Sequence, residues 1–145
     1  MAEIMLADKV SRAGLAGRVL VDSAGTSDEE QDRPAYPGTQ RTLRRHGLDP
    51  VCHRARVFEP DWISGYDLVL AMASGHARVI RRYVSRYGGD AGRVLLVGDL
   101  SPEPSGDVPD PWGYDDQVFE AVYQQLDPAL DAVVTALPEV LPPTS

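Results

Sequence analysis

The sequence is short of cysteine, of histidine, of basic charge and of long apolar runs. One cysteine, Cys52, among 145 residues excludes an internal disulfide and fits a reducing compartment. No apolar run approaches the ~18 residues of a membrane span, and no signal-peptide core opens the chain. Lys and Arg number 14 against 22 Asp and Glu, a formal net charge of −8. That balance argues against nucleic acid and against anionic membrane surfaces as partners, while leaving room for a local anion site. The three histidines are spread along the chain with no carboxylate at ligand spacing, so no metal site is expected. No cofactor is implied and no internal repeat is present. The expected location is the cytoplasm.

What is there describes one domain. A chain of this length can bury a substantial core, and 43% hydrophobic with 25% charged residues is ordinary globular composition. Ile4, Met5, Leu6, Ala7, Val10 and Leu15 recur near a helical period, predicting a helix over about residues 2–13 with no capping residue ahead of it. Arg18-Val19-Leu20-Val21-Asp22 reads as a strand buried on both faces. It runs into the small residues Ser23-Ala24-Gly25-Thr26, and residues 27–38 read as a polar surface loop. A helix follows at residues 38–45, ended by Gly47. Its arginines Arg41, Arg44 and Arg45 form either a solvated face or an anion patch. Cys52 to Phe58 is a linking stretch in which His53 is either a base, a supporting donor or a solvated loop residue.

Tyr66-Asp67-Leu68-Val69-Leu70-Ala71-Met72 and Arg93-Val94-Leu95-Leu96-Val97 are the clearest buried strands, separated by a helix at about 75–87. A long loop, 98–113, precedes a last helix expected over about 115–136, with Pro128 set to kink or split it and residues 138–145 forming a flexible tail. Strand and helix alternate, so the class is α/β with a parallel sheet, and sites in such sheets lie at the carboxyl ends of strands. The loops at 23–26, 73–75 and 98–113 meet that rule. Within the last, Asp110 sits between Pro109 and Pro111, restricted on both sides. Locally this is a turn before a helix cap, or a rigidly presented general acid or base.

Five segments in order carry a resemblance. Val21-Asp22-Ser23-Ala24-Gly25-Thr26-Ser27, Leu43-Arg44-Arg45-His46-Gly47-Leu48, His53-Arg54-Ala55-Arg56, Tyr66 to Met72, and Asp110-Pro111-Trp112-Gly113 with Phe119-Glu120-Ala121-Val122-Tyr123 resemble the low-molecular-weight protein tyrosine phosphatases. The resemblance runs from the first residue to about 137 and implies a three-layer, flavodoxin-like, doubly wound parallel sheet. It implies hydrolysis of phosphate monoesters, of phosphotyrosine proteins or small aryl phosphates, through a phosphocysteine. Asp110 matches the general acid and Trp112 an aromatic wall of the substrate slot. Asp28 and Glu29 fall in the loop at its mouth, and Ser23 and His53 match residues that support the phosphate loop.

One departure is large. The family's nucleophile lies in a Cys-x5-Arg loop, and no such pattern occurs here, since the sixth residue after Cys52 is Phe58. In the family Met-Ala-Glu commonly follows that loop directly, and here it is Met1-Ala2-Glu3. The expectation is therefore a chain without the central first strand and phosphate loop. Such a chain is inactive by itself, marginal in stability, and open to self-association through the unfilled sheet position. The alternative is a catalytically dead remnant serving as a binding or regulatory module.

Overall fold

The computed structural model describes residues 1–141. Its regular elements, in chain order, are helices α1 (Ala2–Arg12) and α2 (Pro37–Arg45), strand β1 (Val69–Ala71), helix α3 (Ser74–Tyr87), strand β2 (Val94–Leu96) and helix α4 (Asp116–Val140). Short 3-10 turns at Pro60–Gly65, Ala91–Arg93 and Val97–Leu100 join them.

β1 and β2 pair in parallel with Val69 opposite Val94 and Ala71 opposite Leu96, and α3 makes the crossover. Side chains alternate along β1. Leu70 and Met72 pack with Met5, Leu43, Val97, Val122, Leu126 and Leu130, the core beneath α1, α2 and α4. Val69 and Ala71 face Ile63, Ala77, Ile80, Val84 and Val94, the core beneath α3. Helices thus cover both faces of the sheet, the layering an alternating β and α pattern requires.

The helices follow their apolar periodicity closely. α1 begins without a side-chain cap, as the sequence implies. α2 ends at Arg45, and the chain turns away at Gly47, whose φ of 75° suits glycine. Pro128 neither kinks α4 apart nor ends it, and the helix runs through Pro138 to Val140. Buried Ala129, Leu130 and Val133 hold the turn after Pro128 against the core, which outweighs the one hydrogen bond proline removes. Residues 138–140 of the expected tail are therefore helical, and residues 142–145 of it lie outside those described.

The strands depart further from expectation. Those expected at 66–72 and 93–97 shrink to three residues each. Residues 19–22, read above as a doubly buried strand, form no ladder, and Leu20 is 90% exposed. The reason is pairing. A strand exists by the hydrogen bonds of its neighbours, and β1 has a neighbour on one edge only among the described residues. Beyond this segment a single parallel bridge, Gly25 with Val57, ties the chain to the 53–58 stretch.

Candidate functional site

The carboxyl end of β1 organises the site. The chain leaves Ala71 and turns into α3 at Ser74, and the loop after β2 closes over this turn. Val108 N–H donates to the Met72 carbonyl at 2.8 Å. Ser74 N–H donates to Asp107 Oδ1 at 2.8 Å and its hydroxyl to Oδ2 at 3.2 Å, so Asp107 satisfies the first N–H of α3. From the other side Gln125 of α4 donates to the Asp107 carbonyl at 3.1 Å. Gly98 lies so close to the Gly106 carbonyl that any side chain there would collide with it. The 98–113 loop is therefore a braced structure that delivers the next residues to a fixed place.

Those residues are Pro109, Asp110 and Pro111. Asp110 Oδ1 accepts the Trp112 N–H at 3.0 Å, and Tyr114 N–H donates to the Pro111 carbonyl at 3.0 Å. Gly113 supplies the positive φ, 81°, that finishes the turn. The two local readings of Asp110 are thus compatible: one oxygen makes the turn, while Oδ2 has no hydrogen-bond partner among the described residues and the side chain faces solvent.

Beside it stands an aromatic wall. Trp112 is 60% exposed, and its ring lies 6.2 Å from that of Tyr36, tilted by 52°. Tyr36 in turn stacks on buried Phe119 at 5.6 Å and 7°. Tyr36 is not among the residues the sequence singles out. The signal was an aromatic directly ahead of Pro37, which starts α2, in an otherwise polar stretch. Asp28 and Glu29 sit in the same exposed loop, and their carboxylates form no hydrogen bond or ion pair among the described residues. The geometry brings Tyr36 against Trp112.

Ser23 and His53 are brought together by a third residue. Ser23 Oγ donates to Glu3 Oε2, and His53 Nδ1 lies 2.9 Å from the same oxygen. Glu3, in the first turn of α1, was visible in the sequence as part of an uncapped helix start and of Met1-Ala2-Glu3, with nothing to mark it as a partner of Ser23 or His53. Next to Ser23, Asp22 accepts from the Tyr66 hydroxyl at 2.8 Å, from the Ser23 N–H at 2.8 Å and from Arg56. Burial works against the charged form of Asp22, but these donors outweigh it and hold the carboxyl below its usual range. The hydrogen bond to Asp22, together with burial, raises the Tyr66 phenol.

Elsewhere the choices left open by the sequence resolve. Arg41 and Arg45 pair with Asp116 at 2.7 and 3.3 Å, so these two are ion-paired to α4, while Arg44 donates to Gln40 within α2 at 3.1 Å. Cys52 is exposed on a turn closed by His53 N–H and the Pro50 carbonyl. No group of three His, Cys, Asp or Glu suited to a metal ion occurs among the described residues. No helix among them is long and apolar enough to cross a membrane.

Residues 1–141 match the family described as low molecular weight phosphotyrosine protein phosphatase. A low molecular weight protein-tyrosine-phosphatase of Streptomyces coelicolor is 35% identical over 142 residues, 96% of this chain and 85% of that protein. Among solved structures, the low molecular weight protein tyrosine phosphatase from T. tengcongensis superposes with a TM-score of 0.78 at 29% identity. That match covers 92% of this chain and 87% of the other. YfkJ from Bacillus subtilis shares the fold at a TM-score of 0.86 and 24% identity, covering 95% and 85%.

Proposed function

The chain belongs to the low molecular weight phosphotyrosine protein phosphatase family, and from that membership we propose that its site serves hydrolysis of aryl phosphate monoesters, with phosphotyrosine as the substrate class and Asp110 as the general acid. In the family's reaction the thiolate of a Cys-x5-Arg loop, which these 145 residues do not hold, attacks phosphorus as the P–O bond to the aryl oxygen breaks. Asp110 gives its proton to the departing phenolate. As a carboxylate it then takes a proton from the water that attacks the phosphocysteine, releasing phosphate and restoring the thiolate. Trp112, with Tyr36 behind it, flanks the aryl ring. Asp28 and Glu29 stand at the mouth and bias selection of flanking residues. Ser23 and His53, joined through Glu3, support the loop that carries the phosphate.

The observation carrying this reading is a solvent-facing carboxylate on a loop braced against the carboxyl end of β1, with an aromatic wall next to it. The same sequence holds no Cys-x5-Arg, and that observation supports a second reading: these 145 residues bind or regulate without turning over. The two separate in one experiment. Aryl phosphate hydrolysis is measured for the 145-residue chain and for a chimera with a relative's first strand and Cys-x5-Arg loop fused ahead of Met1. The chain alone is expected to be inactive and the chimera active, with Asp110→Asn lowering its kcat by about 10²–10⁴. A chimera whose rate ignores Asp110→Asn would rule out the assigned acid, and a folded but inert chimera would favour the binding module.

A further inference from the structure

α3 is an electrostatic exception in this protein. Its 14 residues carry four arginines, Arg78, Arg81, Arg82 and Arg86, and no acid, leaving the other residues at −12 (−8 less +4). Lys9, Arg12, Arg33, Arg41 and Arg56 each have a carboxylate partner. None of the α3 arginines has one among the described residues. Arg81 is spent on structure, donating to the Val94 carbonyl at 2.7 Å. Arg78, Arg82 and Arg86 remain, all exposed, with Arg86 over the Tyr87 ring at 5.8 Å. Their i, i+4, i+8 spacing puts them in one row along the helix, opposite buried Ala77, Ile80 and Val84. Partly exposed Val79 and Tyr87 flank the row.

The helix that carries the row starts at the site. α3 starts at the carboxyl end of β1, where Ser74 holds Asp107, three positions before Asp110 in the same braced loop. From Arg78 to Arg86 the row spans about 12 Å at the helical rise, the length of about four residues of extended chain. Guanidinium groups pair with carboxylates through two parallel hydrogen bonds, so the row suits side chains presented in sequence. An extended anionic sheet or polymer would meet the net −12 of the other residues. A short segment would not.

We propose that Arg78, Arg82 and Arg86 form a docking track for a short acidic segment of a partner polypeptide. Resting on the phosphatase reading above, that partner is the substrate protein, engaged through acidic residues near its phosphotyrosine. The test uses the 145-residue chain and a fluorescent peptide bearing a run of glutamates and no phosphotyrosine, with binding read by anisotropy at low and raised salt. Binding at low salt that weakens as salt rises is expected. The triple replacement Arg78→Ala, Arg82→Ala, Arg86→Ala should weaken it roughly tenfold, the scale of a few exposed ion pairs lost together. Arg44→Ala with Arg54→Ala should leave it unchanged.

Equal binding by the triple variant, its circular dichroism being native, overturns the proposal, as does absence of binding. Tighter α3-dependent association with phosphatidylserine vesicles than with the peptide also overturns it, assigning the row to a membrane. Because the peptide carries no phosphate, its binding is read independently of hydrolysis. A failed chimera assay leaves this result standing, and a failed peptide assay leaves Asp110 untouched.

Discussion

Gly38 has no room for a side chain. A Cβ there would lie 2.5–2.7 Å from three ring carbons of Phe119, a residue only 1% exposed and stacked against Tyr36. The ring cannot retreat, so Gly38→Ala is expected to lower stability by about 1–3 kcal/mol, measured as a fall in the urea midpoint. An unchanged midpoint would mean the Tyr36–Phe119 stack is looser than drawn. Glu3 is the other residue with several dependants. Glu3→Gln replaces the carboxylate that both Ser23 and His53 address and is expected to cost about 1 kcal/mol. The His53 side-chain NMR signals should shift with it, and if they do not, the pairing is absent in solution. Neither residue was legible as important. A glycine's necessity lies in what approaches it, and Glu3 meets its partners from 20 and 50 positions away.

At the scale of elements, caps and networks decide. Asp115 was read only as lying at the start of the last helix. Its Oδ1 accepts from Gln117 and Val118 N–H at 3.1 and 3.3 Å, so Asp115→Ala should cost about 1 kcal/mol and show in the thermal midpoint of α4 followed by circular dichroism. Asp22 joins the 19–22 stretch to Arg56 and Tyr66, and its carboxyl is held below the usual range. A folded-state pKa lower than the unfolded one gives stability that is full above the unfolded value, near pH 4, and is lost as pH falls through the lower folded value. Wild type should therefore exceed Asp22→Asn in stability at neutral pH, the gap closing in acid. A gap that stays constant down to about pH 3 would show that the carboxylate's charge is not what matters. Helices were legible to within a few residues because their apolar period is written locally. Strands were not, because a ladder is a property of two segments.

For the whole molecule, the outer edge of β1 is open among the described residues, and Leu20 stands 90% exposed on a stretch without a ladder. Unpaired strand edges and exposed apolar side chains promote association. The chain is expected to self-associate with rising concentration in analytical ultracentrifugation, and Leu20→Glu to shift it toward the monomer. Monomer at all concentrations would sink that expectation.

The sequence alone determined the α/β class, the helices, the family resemblance and the absence of Cys-x5-Arg, all of which are written in periodicity, turn chemistry and residue identity along the chain. It also singled out Asp110, because two prolines announce a rigid residue. Only the tertiary structure decided that Tyr36 stands against Trp112, that Glu3 gathers Ser23 and His53, that Arg41 and Arg45 of α2 pair with α4 while the α3 arginines meet no carboxylate among the described residues, and that residues 19–22 form no strand. Each of these depends on groups far apart in sequence, whose distance and charge balance exist only once helices and sheet have packed together.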